Sequence, residues 1–378
     1  MAKKQPKKIR AEFRKNREVR SRQRDWTRAV AQRGIEESDA ALDERISGKG
    51  ALTRKRTIVA SAADEAAGGE GYQLEVDPAI CRPGRVLSVH GLLSNVEAED
   101  GQLFRCATRR LLKTLATDLR HVVTAGDYVW FRPEPGGEGI IERVEPRRGV
   151  LNRTSRGRQH IIVSNVDQLL IIASAAEPYL KPNLIDRFLV TAEKSGIRPV
   201  ICINKVDLVA LDDLQPLVGV YSQLGYSVLL VSAKTGYGVA RLNRLVSGRA
   251  SAVAGQSGVG KSSLLNAIEP ELQLRVAAVS QESQKGRHTT TTATLIPLAS
   301  GGYVVDTPGI RQFRLWDVAP QEVAGYFRDL RPFVSHCRFP NCSHTHEADC
   351  AVKDAVADDL IDPRRYESYL NCYEGESE

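Results

Sequence analysis

The chain has 378 residues, 42% of them hydrophobic, 26% charged and seven of them cysteine, with a formal net charge of +7. That length exceeds one small domain and suits two or three units with cores of their own. No apolar run reaches the roughly 18 residues that cross a bilayer, and no apolar segment follows the basic N-terminus, so neither a membrane span nor a secretory leader is expected; a soluble cytoplasmic protein is.

The positive charge is concentrated. Residues 1–33 hold thirteen Lys/Arg against Glu12, Glu18 and Asp25, a charge of +10 that leaves −3 for the remainder. A basic arm of this kind contacts phosphates, although its composition equally fits a solvated tail. Residues 61–71 are small, polar and Gly-rich, as linkers are. Residues 1–80 therefore read as a basic, largely disordered extension, in which residues 9–33 can become helical on a partner.

Residues 81–148 change texture. Short apolar runs such as Arg85-Val86-Leu87-Ser88-Val89 and Tyr128-Val129-Trp130-Phe131 alternate with turn signals such as Asp100-Gly101, Gly126-Asp127 and Pro135-Gly136-Gly137. The spacing predicts a small β-barrel. A five-stranded OB-type barrel fits the length, and such barrels bind nucleic acid; periodicity alone equally allows an SH3-like barrel.

From residue 149 to 325 buried strands alternate with helices, predicting a parallel α/β sheet covered on both faces. At the end of its second strand stands Asn204-Lys205-Val206-Asp207. The two acceptors of the Asp207 carboxylate suit the N1–H and N2–H₂ donors of guanine, whereas adenine leaves them unpaired. Asn204 is expected to meet the base edge or brace the loop, and the Lys205 stem to cover the ring. Ser232-Ala233-Lys234 follows at the next strand end, where the Ala233 N–H is expected to meet guanine O6.

Gly255-Gln256-Ser257-Gly258-Val259-Gly260-Lys261-Ser262, followed by Ser263, lies between the strand Ala252-Val253-Ala254 and a helix, as a phosphate-binding P-loop must. Its glycines let backbone N–H groups face the phosphates, Lys261 reaches the β- and γ-phosphates, and the Ser262 hydroxyl ligates Mg²⁺. Gly286-Arg287-His288-Thr289-Thr290-Thr291 then has switch-loop character; Thr290 is the favoured second Mg²⁺ ligand, with its neighbours as alternatives. Asp306-Thr307-Pro308-Gly309 has the D-x-x-G form in which the Asp holds Mg²⁺ through water and the Gly N–H senses the γ-phosphate. Ile310 stands where a water-orienting Gln is common, so intrinsic hydrolysis is expected to be slow, and His288 is the candidate to orient the water. These motifs run in the order base, base, phosphate, switch, metal, so the domain is read as circularly permuted.

Residues 326–378 contain Cys337, Cys342, His344 and Cys350, three thiolates and an imidazole within fourteen residues. This donor set is typical of a structural Zn²⁺ site, with His336 and His346 as competitors for the nitrogen position.

The permuted order, the Gly286 to Thr291 segment, Ile310, the barrel and the Cys₃His cluster together resemble the RsgA (YjeQ) family of small-subunit ribosome biogenesis GTPases, over residues 80 to 372. The resemblance implies an OB-fold, a permuted GTPase domain and a zinc subdomain. It also implies binding to the 30S subunit and its rRNA, a role in late maturation, and GTP hydrolysis to GDP stimulated by the subunit. Expected cofactors are one structural Zn²⁺ and Mg²⁺ with GTP; the chain is expected to act as a monomer away from membranes. A GTP-dependent metallochaperone or signalling switch, and a non-catalytic RNA-binding protein that merely holds GTP, are the alternative classes.

Overall fold

The computed structural model describes residues 76–109, 112, 122–155, 158–273, 293–306 and 318–375, together with three short strands before residue 76. Those strands are β1 Lys7–Glu12, β2 Lys55–Ala62 and β3 Tyr72–Leu74, paired antiparallel in the order β1-β2-β3. Residues 7–12, 55–62 and 72–74 of the extension are thus in extended backbone. The β-branched centre Thr57-Ile58-Val59 of β2 is the local reason, because such residues lose least in an extended backbone.

Five strands close the barrel: β4 Arg82–His90, β5 Leu93–Ala98, β6 Leu103–Thr108, β7 Tyr128–Glu134 and β8 Glu138–Val144. Their order is β4-β5-β6-β8-β7, with β7 returning to β4 and only β6 and β8 parallel. This Greek-key closure is that of an OB barrel, which decides between the two barrels that periodicity allowed. The alternate residues Val86, Val96, Phe104, Cys106, Val129, Phe131 and Ile141 fill the interior, where the Phe104 and Phe131 ring centroids lie 4.9 Å apart.

A two-stranded ribbon, β9 Leu151–Ser155 and β10 Arg158–Val163, leads into the α/β unit. Its strands and main helices run β11 Gln168–Ser174, α1 Pro182–Lys194, β12 Arg198–Asn204, α2 Gln215–Gln223, β13 Ser227–Leu230, α3 Val239–Val246, β14 Ala250–Ala254, α4 Lys261–Ile268, β15 Thr294–Pro297 and β16 Tyr303–Asp306. The sheet order is β13-β12-β11-β14-β16-β15, parallel except for β15. Both faces are covered, which is why the strands read as unbroken apolar runs. Leu169 and Ile171 of β11 join one core cluster, and Leu170 and Ile172 join the other.

The barrel meets this sheet at its β15 edge, where Thr294 pairs with Ser88. The junction is polar and buried. The Arg85 guanidinium lies 4.9 Å from the Tyr128 ring and 4.5 Å from the Tyr303 ring, and donates to Asn165 O at 2.9 Å. Beside it the fully buried Asp127 carboxylate accepts from Arg147 Nε at 2.7 Å and Ser164 Oγ at 2.6 Å.

The C-terminal unit comprises α5 Pro320–Tyr326, α6 Arg331–Val334, α7 Ala351–Ala357 and α8 Pro363–Glu374. It packs on α1, whose Val190 lies in its core. The buried Arg365 donates to both carboxylate oxygens of Asp329 at 2.9 Å and to Asp186 of α1, and Ser368 Oγ donates to Asn183 Oδ1 at 2.6 Å. Among the described residues no helix is long and apolar enough to cross a membrane.

Candidate nucleotide site and metal centre

The P-loop leaves β14 at Gly255 and enters α4 at Lys261. Gly255 has φ +146°, and a Cβ there would sit 2.2 Å from Ile172 O; at Gly260, with φ +88°, it would sit 2.5 Å from Asn204 Nδ2. Only glycine lets the loop pass this close to its neighbours, which is the physical content of the two fixed glycines. Lys261 Nζ donates to Gly255 O at 2.8 Å and to Gln256 O at 2.6 Å, holding the ammonium over the loop. Ser262 and Ser263 occupy the first turn of α4, where backbone N–H groups have no helical acceptor.

The base-reading side is built around Asn204, which is 1% exposed. Its Nδ2 donates to Val259 O at 2.9 Å, and its Oδ1 accepts from the Ala233 N–H at 3.2 Å. Of the two roles expected for Asn204, the structure gives the brace: one amide ties the P-loop to the loop after β13. The Ala233 N–H, expected at guanine O6, donates here to Asn204 Oδ1. Asp207 is exposed at the site's mouth and accepts from Ser232 Oγ at 2.6 Å. That hydroxyl holds the Asp207 carboxyl below the usual carboxylate range, so it presents two anionic acceptors. Lys205 adopts a left-handed backbone with φ +61° and its Nζ donates to Glu177 O, which stretches the stem across the loop. Lys234 is exposed beside Ala233.

The Mg²⁺ side is less complete. Asp306 ends β16 opposite Thr294, but its side chain lies outside the described residues, as do His288, Thr290, Gly309 and Ile310.

In the C-terminal unit the Cys337, Cys342, His344 and Cys350 ligand atoms all lie within 4.8 Å of one another. Cys337 Sγ and Cys350 Sγ are each 3.4 Å from His344 Nδ1 and 3.8 Å apart. A tetrahedral ion with bonds of about 2.3 Å to sulfur and about 2.0 Å to nitrogen needs edges of about 3.5–3.8 Å, so the donor set is compatible with one zinc. Burial pushes the Cys342 thiol up to about 12 and lowers His344, favouring a neutral imidazole and disfavouring a thiolate without a cation beside it. His336 and His346 are exposed and outside the cluster, which resolves the competition for the nitrogen position. Sequence reasoning missed what holds this loop. Tyr369 OH donates to Ser343 O at 2.6 Å and Tyr366 OH to His344 O at 2.7 Å, fixing His344 at φ +56°. The tyrosine spacing marks a helical face, but nothing local says what that face meets.

A P-loop beside a guanine-reading N-K-x-D loop, on a sheet whose strands run in permuted order, defines a circularly permuted GTPase carrying an OB barrel and a zinc-type Cys₃His unit. Comparison agrees: the RsgA GTPase family model matches residues 144–316. Proteins called small ribosomal subunit biogenesis GTPase RsgA from Chromohalobacter salexigens and Thermotoga maritima are 42% and 41% identical, covering 78% and 77% of this chain and 86% and 96% of their own. The crystal structure of YjeQ from Thermotoga maritima matches with a TM-score of 0.65 at 37% identity, covering 78% of this chain and 98% of its own. YloQ, described as a circularly permuted GTPase, matches at 0.62 and 30% identity over 79% and 97%. The chain belongs to the RsgA family of GTPases.

Proposed function

We propose that this protein is a cytosolic, monomeric GTPase that binds the 30S ribosomal subunit, assists its late maturation, and hydrolyses GTP faster when bound. The observation that carries this reading is roughly 40% identity, over more than three quarters of the chain, to proteins named for small ribosomal subunit biogenesis, combined with a guanine-reading loop braced to a P-loop by one buried amide. The OB barrel and the basic extension supply surfaces suited to rRNA.

In the proposed site Asp207 reads guanine, with Ser232 orienting it, and Asn204, Lys205, Ala233 and Lys234 form the walls. Backbone N–H groups from Gly255 to Ser263 hold the phosphates, and Lys261 neutralises charge developing on the β- and γ-oxygens. Ser262 and Thr290 ligate Mg²⁺, Asp306 reaches it through water, and Gly309 senses the γ-phosphate. His288 orients the attacking water in place of the residue that Ile310 cannot supply. Cys337, Cys342, His344 and Cys350 hold one structural Zn²⁺. The working division is an extension at 1–80, a barrel at 81–148, the GTPase at 149–325 and the zinc unit at 326–378.

Phosphate release from GTP, with and without 30S subunits and with ATP and 50S subunits as controls, tests the reading. Stimulation confined to GTP with 30S is expected; equal slow hydrolysis in every mixture would overturn the ribosomal assignment. A His288→Ala protein that binds GTP normally yet keeps full stimulated turnover would remove the catalytic role of His288.

A further inference from the structure

The two strands that reach the Mg²⁺ side of the site are gripped by the barrel. Residues 286–291, with the proposed ligand Thr290, stand just before β15, and Asp306 closes β16. β15 is four residues long and lies at the edge of the α/β sheet, where β16 is its neighbour. A strand this short at an edge has few bonds of its own to fix its place.

The grip has two ends. At the nucleotide end Thr294 pairs with Asp306 on one side and with Ser88 of β4 on the other, so Ser88, Thr294 and Asp306 form one transverse row about 10 Å across. Ser88 is buried, and its Oγ accepts from Asn95 Nδ2 at 3.0 Å. At the far end Tyr303 opens β16, three residues and about 10 Å from Asp306. Arg85 and Glu97 are direct cross-strand partners in β4 and β5, so their side chains share a face of the barrel. Both meet Tyr303: the guanidinium lies 4.5 Å from the ring centroid, and the hydroxyl donates to Glu97 Oε2 at 2.6 Å. Burial, with Glu97 beside it, pushes the Tyr303 phenol up to about 12, which keeps it a donor at neutral pH. Between the two ends Leu87 enters the core that holds Leu295 and Val305. Apolar and cation–π contacts would dock the barrel while tolerating a slide; the Tyr303–Glu97 bond is directional and charge-assisted, so it fixes where β16 lies.

We infer that Glu97 and Tyr303 are positioning residues for GTP hydrolysis, setting from the barrel where β16 delivers Asp306 to the Mg²⁺ side. The inference rests on the Mg²⁺ role proposed for Asp306. The guanine-reading loops and the P-loop leave β12, β13 and β14 instead, so nucleotide binding without Mg²⁺ does not depend on this bond.

The test uses the full chain, with thermal unfolding to show that each variant is folded. Tyr303→Phe keeps the ring against Arg85 and removes only the hydroxyl; Glu97→Ala removes the acceptor, and Glu97→Gln keeps one. In single-turnover hydrolysis without ribosomal subunits, Tyr303→Phe and Glu97→Ala are expected to be about fivefold slower, the size of effect that one residue coupled to a site has. Both should need several-fold more Mg²⁺ for half-maximal rate, and more Mg²⁺ to slow release of a fluorescent non-hydrolysable GTP analogue. GDP affinity without Mg²⁺ should stay within twofold of the parent, Glu97→Gln should retain the parent rate, and the double variant Tyr303→Phe/Glu97→Ala should be no slower than the slower single one. Rates and Mg²⁺ requirements within twofold of the parent, losses that multiply in the double variant, or a Glu97→Gln protein as slow as Glu97→Ala would each overturn the positioning role. An Asp306→Asn protein with an unchanged Mg²⁺ requirement would instead overturn the role given to Asp306, and the rates of the Glu97 and Tyr303 variants would still decide whether the barrel sets the chemistry.

Discussion

At the scale of single residues the base-reading pair is the most exposed to experiment. Asp207 offers two acceptors, so Asp207→Asn replaces one with an N–H donor that clashes with guanine and suits the C2 carbonyl of xanthine. GTP affinity should fall by about a hundredfold or more while XTP affinity rises, read by competition against a labelled nucleotide. Glu347 shows a different kind of dependence. Desolvation pulls its carboxyl up, but bonds from the Ser343 hydroxyl and the Ser343 and Thr345 N–H groups outweigh it and hold the group at about 2. A carboxylate held below its ordinary 4.5 contributes stability above that pH and loses it as the pH falls from 4.5 to about 2. The Tm difference between the parent and Glu347→Gln should accordingly be present at pH 7 and vanish across that window. The motif residues were legible because their chemistry demands fixed spacing. The partners of the Asn204 brace and the engagement of the Ala233 N–H were not, because each depends on how two loops meet across more than fifty residues and about thirty residues of chain.

At the scale of elements, α8 has two working faces. Tyr366 and Tyr369 hold the metal-ligand loop, while Arg365 and Ser368 grip α1. Arg365→Ala should leave Asp186 and Asp329 buried without their cation and lower stability by about 3–5 kcal/mol, measured by thermal unfolding. Arg365→Met fills the space but also removes the charge, so it should recover only the packing part of that loss. The sequence announced strands and helices well, since both-face burial leaves apolar runs such as Leu169 to Ile172. It said nothing of the grip on α1, because Arg365 and Asp186 are 179 positions apart and an Arg on a polar helix reads as a solvated residue. The barrel was legible from strand spacing, but which strands close it was hidden for a related reason: the return of β7 to β4 is a pairing, and pairings leave no local period.

At the scale of the whole molecule the charge asymmetry makes a clean prediction. Removing residues 1–33 deletes thirteen cations against three anions. Binding to 30S should weaken, and the slope of log affinity against log salt should become shallower, as counterion release requires. Unchanged affinity and slope would assign the arm to another task. The order of strands in the sheet bears on how the chain is made. β14 lies between β11 and β16, so β13, β12 and β11, with the guanine-reading loops, leave the ribosome before their central neighbour exists. For the roughly eighty residues from the end of β11 to the end of β14, about 4–16 s of synthesis, the inner edge of β11 has no partner. A half-made chain of this protein can therefore carry the surfaces that select guanine while lacking every group that holds phosphate, and its open strand edge is where a nascent-chain chaperone has most to protect.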